Sequence, residues 1–244
     1  KNYAKEKEII YNKTGLPLSG HFGALKYVKM INENIELKQL LESKKVCFGP
    51  LSSYIIHTLT NKVKIDHTIA GRTQFFSINN LEWDKYLCKL FNINISNIPS
   101  LVPTVHNYGN IEINNHKIPL SCVIGDQQSA LIGQGITNTN TISLNLGTSG
   151  SLQIYSGKKP QYISGLISNP LWSSYNEKHF LIEGTINAVN SIFKWLENYL
   201  KISHKTMEWE KRCETTTTNG VIIPGFTSIS SPHWFQPQKT YFFN

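Results

Sequence analysis

Residues 118–156 read IPLSCVIGDQQSALIGQGITNTNTISLNLGTSGSLQIYS. The stretch 119–124 is a short, nearly continuous apolar run between Pro119 and Gly125, and is expected to form a buried strand. Asp126 follows at once. The QQSALIG after it has helix-forming composition, so Asp126 is expected where a strand ends and a helix begins. Residues 142–146 alternate, with Ile142, Leu144 and Leu146 on one face and Ser143 and Asn145 on the other. Residues 151–155 alternate too, with Leu152 and Ile154 expected inward. Gly147-Thr148-Ser149-Gly150 joins the two runs, which predicts a hairpin with one buried face. A glycine-flanked hydroxyl turn can bring backbone N–H groups close to a phosphate.

Each feature alone has a plain structural reading. Aspartate is a preferred N-cap, so an Asp opening a helix is more often a cap than a catalyst. Gly-Thr-Ser-Gly in a hairpin is usually a turn that needs positive φ. What shifts the balance is the order: strand, GDQQ, helix, then strand, GTSG, strand.

That ordered set resembles the FGGY family of carbohydrate kinases, which includes glycerol, xylulose and gluconate kinases. The resemblance runs along nearly the whole chain. It takes in Thr14-Gly15-Leu16, then GPLSSYIIHTLTNKVKIDHTIAGRTQFFSINNLEWD at 49–84, and Ile98-Pro99 with Pro103. GDQQ at 125–128, Gly147-Thr148, Glu183-Gly184 and Trp195-Leu196 follow. It closes on Asn219-Gly220-Val221, Pro224-Gly225-Phe226-Thr227 and Pro232-His233-Trp234. The fold implied is α/β: the ribonuclease-H-like, actin/hexokinase-type ATPase fold of two domains, represented here by parts of both. Residues 1–135 would be the later part of the sugar-side domain and 136–244 the opening part of the nucleotide-side domain, with the boundary between Gly133 and Asn140. Pattern alone gives only mixed α and β.

The resemblance also implies an activity: transfer of the γ-phosphoryl group of ATP, with Mg²⁺, to a hydroxyl of a small sugar, polyol or sugar acid. Asp126 matches the family's general base. Gln127 matches a position whose amide binds substrate hydroxyls, since an amide offers a donor and an acceptor. Gln128 is read as an ordinary helix residue. His21 and Phe22 lie where glycerol kinases carry an aromatic that contacts the polyol. Gly147 and Thr148 match the second phosphate loop, and Asn190 and Lys194 align with positions near the nucleotide. Four departures stand out. Ser149-Gly150-Ser151 lacks the aromatic of glycerol kinases, and the wording TGLPLS-x-HF is closer to an uncharacterised branch. Val189-Asn190 replaces a glycine pair, and Ser228-Ile229-Ser230-Ser231 replaces a glycine-rich stretch. These last two lie in the nucleotide half and leave a second reading open: a non-catalytic sugar- or nucleotide-binding relative. The family's Asp-x-Gly-Thr loop is expected before Lys1 and its adenine-binding Gly-Gly motif beyond Asn244. The chain therefore reads as an internal piece of a longer protein, inactive by itself.

The chain has 244 residues, 40% hydrophobic and 16% charged. That allows a sizeable core and argues against global disorder. Its net charge of +8 comes from scattered lysines. No basic run or finger motif points to nucleic acid, and no apolar run is long enough for a membrane helix. The partner expected is a small carbohydrate, with room for a homo-oligomer of the full-length protein. Four cysteines show no metal spacing, and no metal ligands are expected. Cys47, Cys88 and Cys122 sit among apolar neighbours and are expected to be buried thiols. That pattern suits a reducing, cytoplasmic compartment.

Elsewhere, short helices are expected at 24–31 and 35–41. Another starts near Pro50, with Leu51, Tyr54, Ile55 and Leu59 as its apolar positions. Asp84 is expected to cap a helix carrying Leu87 and Leu90. Asn114-Asn115 is expected to turn between strands. Residues 166–172 read as irregular, 180–183 as a strand, 187–200 as a helix and 221–224 as a strand. Arg72, in DHTIAGRT, could face an anion; a surface role is at least as plausible. His57 is read as structural.

Overall fold

The computed structural model describes residues 3–223, 228–235 and 239–243. In chain order the helices are α1 (Lys7–Thr14), α2 (Gly23–Glu33), α3 (Ile35–Glu42) and α4 (Leu51–Thr60). Strand β1 (Lys64–Asp66), α5 (His67–Ala70), β2 (Phe76–Ser77), β3 (Glu82–Trp83) and α6 (Lys85–Leu90) follow. Then come β4 (Ser100–Val102), β5 (Val105–Ile113), β6 (His116–Cys122) and α7 (Asp126–Gly133). The rest is β7 (Ile142–Leu146), β8 (Gly150–Gly157), β9 (Ile167–Ser173), β10 (Lys178–Ile186), α8 (Ser191–Leu200), α9 (His204–Met207), α10 (Trp209–Thr215), β11 (Val221–Ile223) and β12 (Tyr241–Phe243). A four-stranded sheet has the order β7-β8-β10-β9, and β1 pairs in parallel with β4. The expected strand at 221–224 is seen as β11 over Val221–Ile223; Pro224-Gly225-Phe226-Thr227, part of the resemblance, lies outside the described residues.

Two compact units are present. One comprises Lys1–Ile142, Ile154–Ile163 and Ile167–Ile182; the other comprises Ser143–Gln153, Ser164–Leu166 and Glu183–Asn244.

The core of the first unit follows from helical periodicity. On α2, Ala24, Tyr27 and Ile31 are buried at helical spacing. They pack with Ile10, Leu41, Phe75, Leu87, Cys88 and Phe91 in one cluster. Each large apolar side chain buried there contributes about 1.5–3 kcal/mol. Asp84 fixes the start of α6 by accepting from Leu87 N–H at 2.9 Å, and its other oxygen meets Lys13 Nζ at 2.7 Å. Asn114 and Asn115 take φ of 49° and 64° in the β5–β6 hairpin, the left-handed pair that a two-residue turn demands. Gly15 ends α1 at φ 69°, and a Cβ there would run into the Ser168 carbonyl. Leu131 of α7 packs with Ile136, Leu171 and Leu181.

Several expectations are corrected. Strand β6 is largely exposed, not buried, because its run pairs only with β5. Strand β7 buries Ser143 and exposes Ile142, Leu144 and Leu146 at 60%, 52% and 54%, the reverse of the expected facing. Likewise β8 buries Ser151 and Gln153 and exposes Leu152. The buried side is polar and satisfied: Gln153 Nε2 donates to Glu183 Oε2 at 3.1 Å. On α4, Leu51, Tyr54, Ile55 and Leu59 face outward, while Ser53 and Ile56 face in. Residues 166–172 are not irregular; most of them form β9, in which Asn169 Nδ2 and Ser173 Oγ find partners elsewhere in the chain while Ser168 Oγ and Asn169 Oδ1 are buried without one among the described residues. Of the three cysteines expected inside, only Cys88 is buried; Cys47 and Cys122 are exposed. His57 lies on an exposed helix face. No helix among the described residues is long and apolar enough to cross a membrane.

Candidate functional site

Asp126 is the first residue of α7, and Gly125, with extended backbone, takes the N-cap position. Asp126 is therefore not the cap. Its side chain is exposed, and Oδ1 accepts from the Gln127 N–H at 2.8 Å. A negative charge in the first helical turn is favoured by the unpaired N–H groups there. Gln127 is partly buried beside it. Gln128, read from sequence as an ordinary helix residue, is the deeply buried one, and a Cβ on Gly125 would collide with its Oε1.

The backbone before Asp126 is anchored by a buried polar cluster. Gly125 N–H donates to Thr68 Oγ1 at 2.9 Å, and Thr68 Oγ1 donates to Asp66 Oδ2 at 2.5 Å. Asp66 also caps α5, accepting from Thr68 N–H at 2.8 Å and Ile69 N–H at 3.3 Å. Thr104 Oγ1 lies 3.4 Å from Asp66 Oδ2 and accepts from Ser173 N–H at 3.1 Å. His67 Nδ1 meets Ser173 Oγ at 2.8 Å. Asn169 Nδ2 donates to the Thr68 carbonyl at 3.0 Å. Burial pushes the Asp66 carboxyl up to about 6, against the hydrogen bonds from Thr68, Ile69 and Thr104 that pull it down. Burial pushes His67 down to about 4, so its ring is neutral near pH 7. Sequence reading took DHTIAGRT only as part of the resemblance and missed this cluster. The one local signal was Asp66 before a short polar turn, a cap pattern.

His21 is exposed and opens onto a pocket of about 350 Å³ shared with Lys26, Phe48, Arg72, Phe75 and Trp83. Phe22 is buried at the N-cap of α2. Neither Asp126 nor Gln127 lines that pocket. Ile69 is common ground: it lines the pocket and would sit 3.3 Å from a Cβ on Gly125. Asp126 and Gln127 thus lie outside the pocket onto which His21 opens.

In the second unit, the turn at 147–149 carries the other expected residues. Thr148 is exposed. A Cβ on Gly147 would meet only Ser149 O, at 3.6 Å, so the turn surface is bare there. The Gly147 carbonyl accepts from Asn190 N–H at 3.1 Å, and the Thr148 carbonyl accepts from Val189 N–H at 3.0 Å. A Cβ on Gly150 would meet Val189 Cγ2 at 3.0 Å. The Val189-Asn190 pair is therefore packed on the turn, and its N–H groups serve the turn's carbonyls. Lys194 and Asn190 are exposed at the start of α8. Among the described residues no group of three or more His, Cys, Asp or Glu side chains converges as a metal would require.

The family model described as the FGGY family of carbohydrate kinases, N-terminal domain, matches residues 2–133. Glycerol kinase of Mycoplasma genitalium is 33% identical over 239 residues, covering 92% of this chain and 47% of that protein. Glycerol kinase 2 of Thermotoga maritima is 31% identical, covering 94% and 48%. Among solved structures, Plasmodium falciparum glycerol kinase with ADP superposes at a TM-score of 0.86 with 30% identity, over 98% of this chain and 49% of that one. The ligand-bound xylulose kinase of Lactobacillus acidophilus gives 0.80 at 22% identity, over 98% and 49%. The chain spans about half the length of the curated relatives it matches, and it has the corresponding part of the sugar-kinase, actin/hexokinase-like fold.

Proposed function

We propose, because this chain belongs to the FGGY family of carbohydrate kinases, that the whole protein phosphorylates a hydroxyl of a small polyol, ketose or sugar acid at the expense of ATP. The observation that carries the reading is Asp126: an exposed carboxylate in the first turn of a helix whose preceding residue is anchored from the core. A carboxylate held so can accept a hydrogen bond from the acceptor hydroxyl, align it and take its proton as the oxygen attacks. Gln127 offers its amide to neighbouring hydroxyls of the same substrate. His21 and Phe22 contribute from the α2 side. The bare turn at Gly147, with the exposed Thr148 hydroxyl beside it, fits close approach of a phosphate. Lys194 adds positive charge at the same end, next to Asn190. Bound Mg-ATP supplies the phosphoryl group and neutralises its charge. Residues 1–135 then belong to the sugar-side domain and 136–244 to the nucleotide-side domain.

The test is the whole protein with Mg-ATP and a panel of polyols, ketoses and sugar acids, glycerol first because the curated relatives are glycerol kinases. Asp126→Asn is the decisive variant. It keeps the helix start, because Gly125 is the cap, and removes the proton acceptor. A loss of turnover of at least about 100-fold is expected; near wild-type turnover in a folded variant rejects Asp126 as base.

A second reading has an observation of its own. Val189 packs against Gly150 and the N–H groups of Val189 and Asn190 are spent on the turn. That favours a relative that binds sugar without turning over ATP. Calorimetry separates the two: Mg-ATP binding with sugar-stimulated ADP release removes the second reading.

A further inference from the structure

We propose that Thr68 is a positioning residue for Asp126, acting through a hydroxyl that ties the backbone of Gly125 to the buried Asp66 carboxylate. The inference rests on the reading of Asp126 as base and goes past it to the device that holds the base in place.

Three features of the cluster carry it. First, the link has a direction. A threonine hydroxyl has one proton. That proton goes to Asp66 Oδ2, which leaves the oxygen lone pairs to receive the Gly125 N–H. Ionised Asp66 is what sets the orientation. Second, the link has no slack. Asp66 and Thr68 are fully buried, and Thr68 is held again by Asn169 through its carbonyl. A side chain at Gly125 would collide with Gln128 Oε1 and press on Ile69, so the backbone is closely packed there. Third, the link is separate from helix capping. Asp66 caps α5 through the backbone N–H groups of Thr68 and Ile69. The Thr68 hydroxyl takes no part in that cap; it reaches a residue 57 positions away, the one immediately before Asp126.

The chemistry explains why such a device matters. A general base must sit within hydrogen-bonding reach of its hydroxyl, and displacement by about 1 Å costs about 100-fold in rate. Asp126 is on the surface, and among the described residues its carboxylate accepts from the next residue's N–H. Its placement therefore comes from the backbone behind it. Loss of the Thr68 hydroxyl leaves the Gly125 N–H without its partner, and the junction moves to find another.

The experiment uses the whole protein and the best sugar from the panel. Thr68→Val keeps the shape and the α5 cap and removes the hydroxyl. Thr68→Ser restores it. Each is made alone and in an Asp126→Asn background, and assayed below the unfolding temperature of every variant. We expect Thr68→Val to lower kcat about 10- to 100-fold with KM for sugar and ATP changed less than about threefold. We expect Thr68→Ser to return kcat to within about threefold of wild type, and Thr68→Val to have no further effect once Asp126 is Asn. The same factor lost in both backgrounds means that Thr68 supports the fold and not Asp126, and overturns the inference. Unchanged kcat in Thr68→Val overturns it as well. If Thr68→Val does not fold, Thr68→Ala takes its place: it removes the same hydroxyl without the branched side chain, so the same kcat loss and the same disappearance in the Asp126→Asn background are required. The two readings fail differently. Full turnover in Asp126→Asn removes the base and the positioning role together; a dead Asp126→Asn with an active Thr68→Val removes the positioning role alone.

Discussion

His67 Nδ1 and Ser173 Oγ lie 2.8 Å apart across 106 residues of sequence, and the histidine follows in sequence the other buried titratable group of the cluster, Asp66. The two shift in opposite directions. Asp66 is raised to about 6, so its contribution to stability is full below the unfolded value of 3.8 and is lost as pH rises through about 6. His67 is lowered to about 4, so its contribution is full above the unfolded value of 6.5 and is lost as pH falls through about 4. Each shift is about two units, or on the order of 3 kcal/mol, and the windows overlap. The pair therefore leaves stability nearly flat with pH, and single variants unmask the slopes. Relative to wild type, His67→Gln gains on the order of 3 kcal/mol on going from about pH 7 to about pH 4, and Asp66→Asn loses a similar amount. Urea unfolding across that range checks both signs; parallel curves for wild type and His67→Gln would show that the histidine titrates freely.

Gly15→Ala tests the α1 terminus. The position has φ 69° and a Cβ would run into the Ser168 carbonyl, a backbone atom that cannot swing away. Strain at positive φ adds to the steric cost, and a loss of about 2–4 kcal/mol is expected in unfolding free energy. An unfolding midpoint equal to wild type would mean that β9 gives way easily.

Leu131→Ala removes the fully buried anchor of α7. A cavity against Ile136, Leu171 and Leu181 should cost about 2–5 kcal/mol. Because α7 begins at Asp126, kcat should fall by more than the unfolded fraction explains. An unfolding curve shifted with kcat intact would show that the start of α7 is held without Leu131.

The outward apolar side of β7 and β8 predicts self-association of the 244-residue chain. Sedimentation should show species larger than a monomer, and Leu144→Glu with Leu152→Glu should reduce them. A monomer that unfolds cooperatively would refute the expectation.

What the sequence made legible was local. Asn114-Asn115 announces its own turn, because few other residues tolerate left-handed φ twice in succession. Asp84 announces a cap, and its carboxylate accepts from Leu87 N–H as the pattern requires. Alternation in β7 showed which residues share a face. It could not say which face is covered, and Ser143 is inside. Strand β9 was hidden for a related reason: Ser168, Asn169 and Ser173 look like loop residues, and the groups that pair Asn169 and Ser173 come from about 70 to about 100 residues away in sequence. The same distance concealed Thr68. GDQQ at 125–128 could be picked out by its wording, whereas the hydroxyl beneath it is specified by geometry alone.

The cysteines give the molecule an internal clock. Cys47, Cys122 and Cys213 are open to an alkylating reagent, while Cys88 lies in the cluster with Leu87 and Phe91, its thiol pushed by burial up to about 12. Three thiols should label at once and the fourth only when that cluster opens. The slow phase of a mass-resolved labelling trace then reads out the opening equilibrium of the first unit's core under native conditions, with no substitution and no dye. Cys122, four positions before Asp126, should label within the fast phase, and any slowing of that one thiol by a sugar would report occupancy near the start of α7.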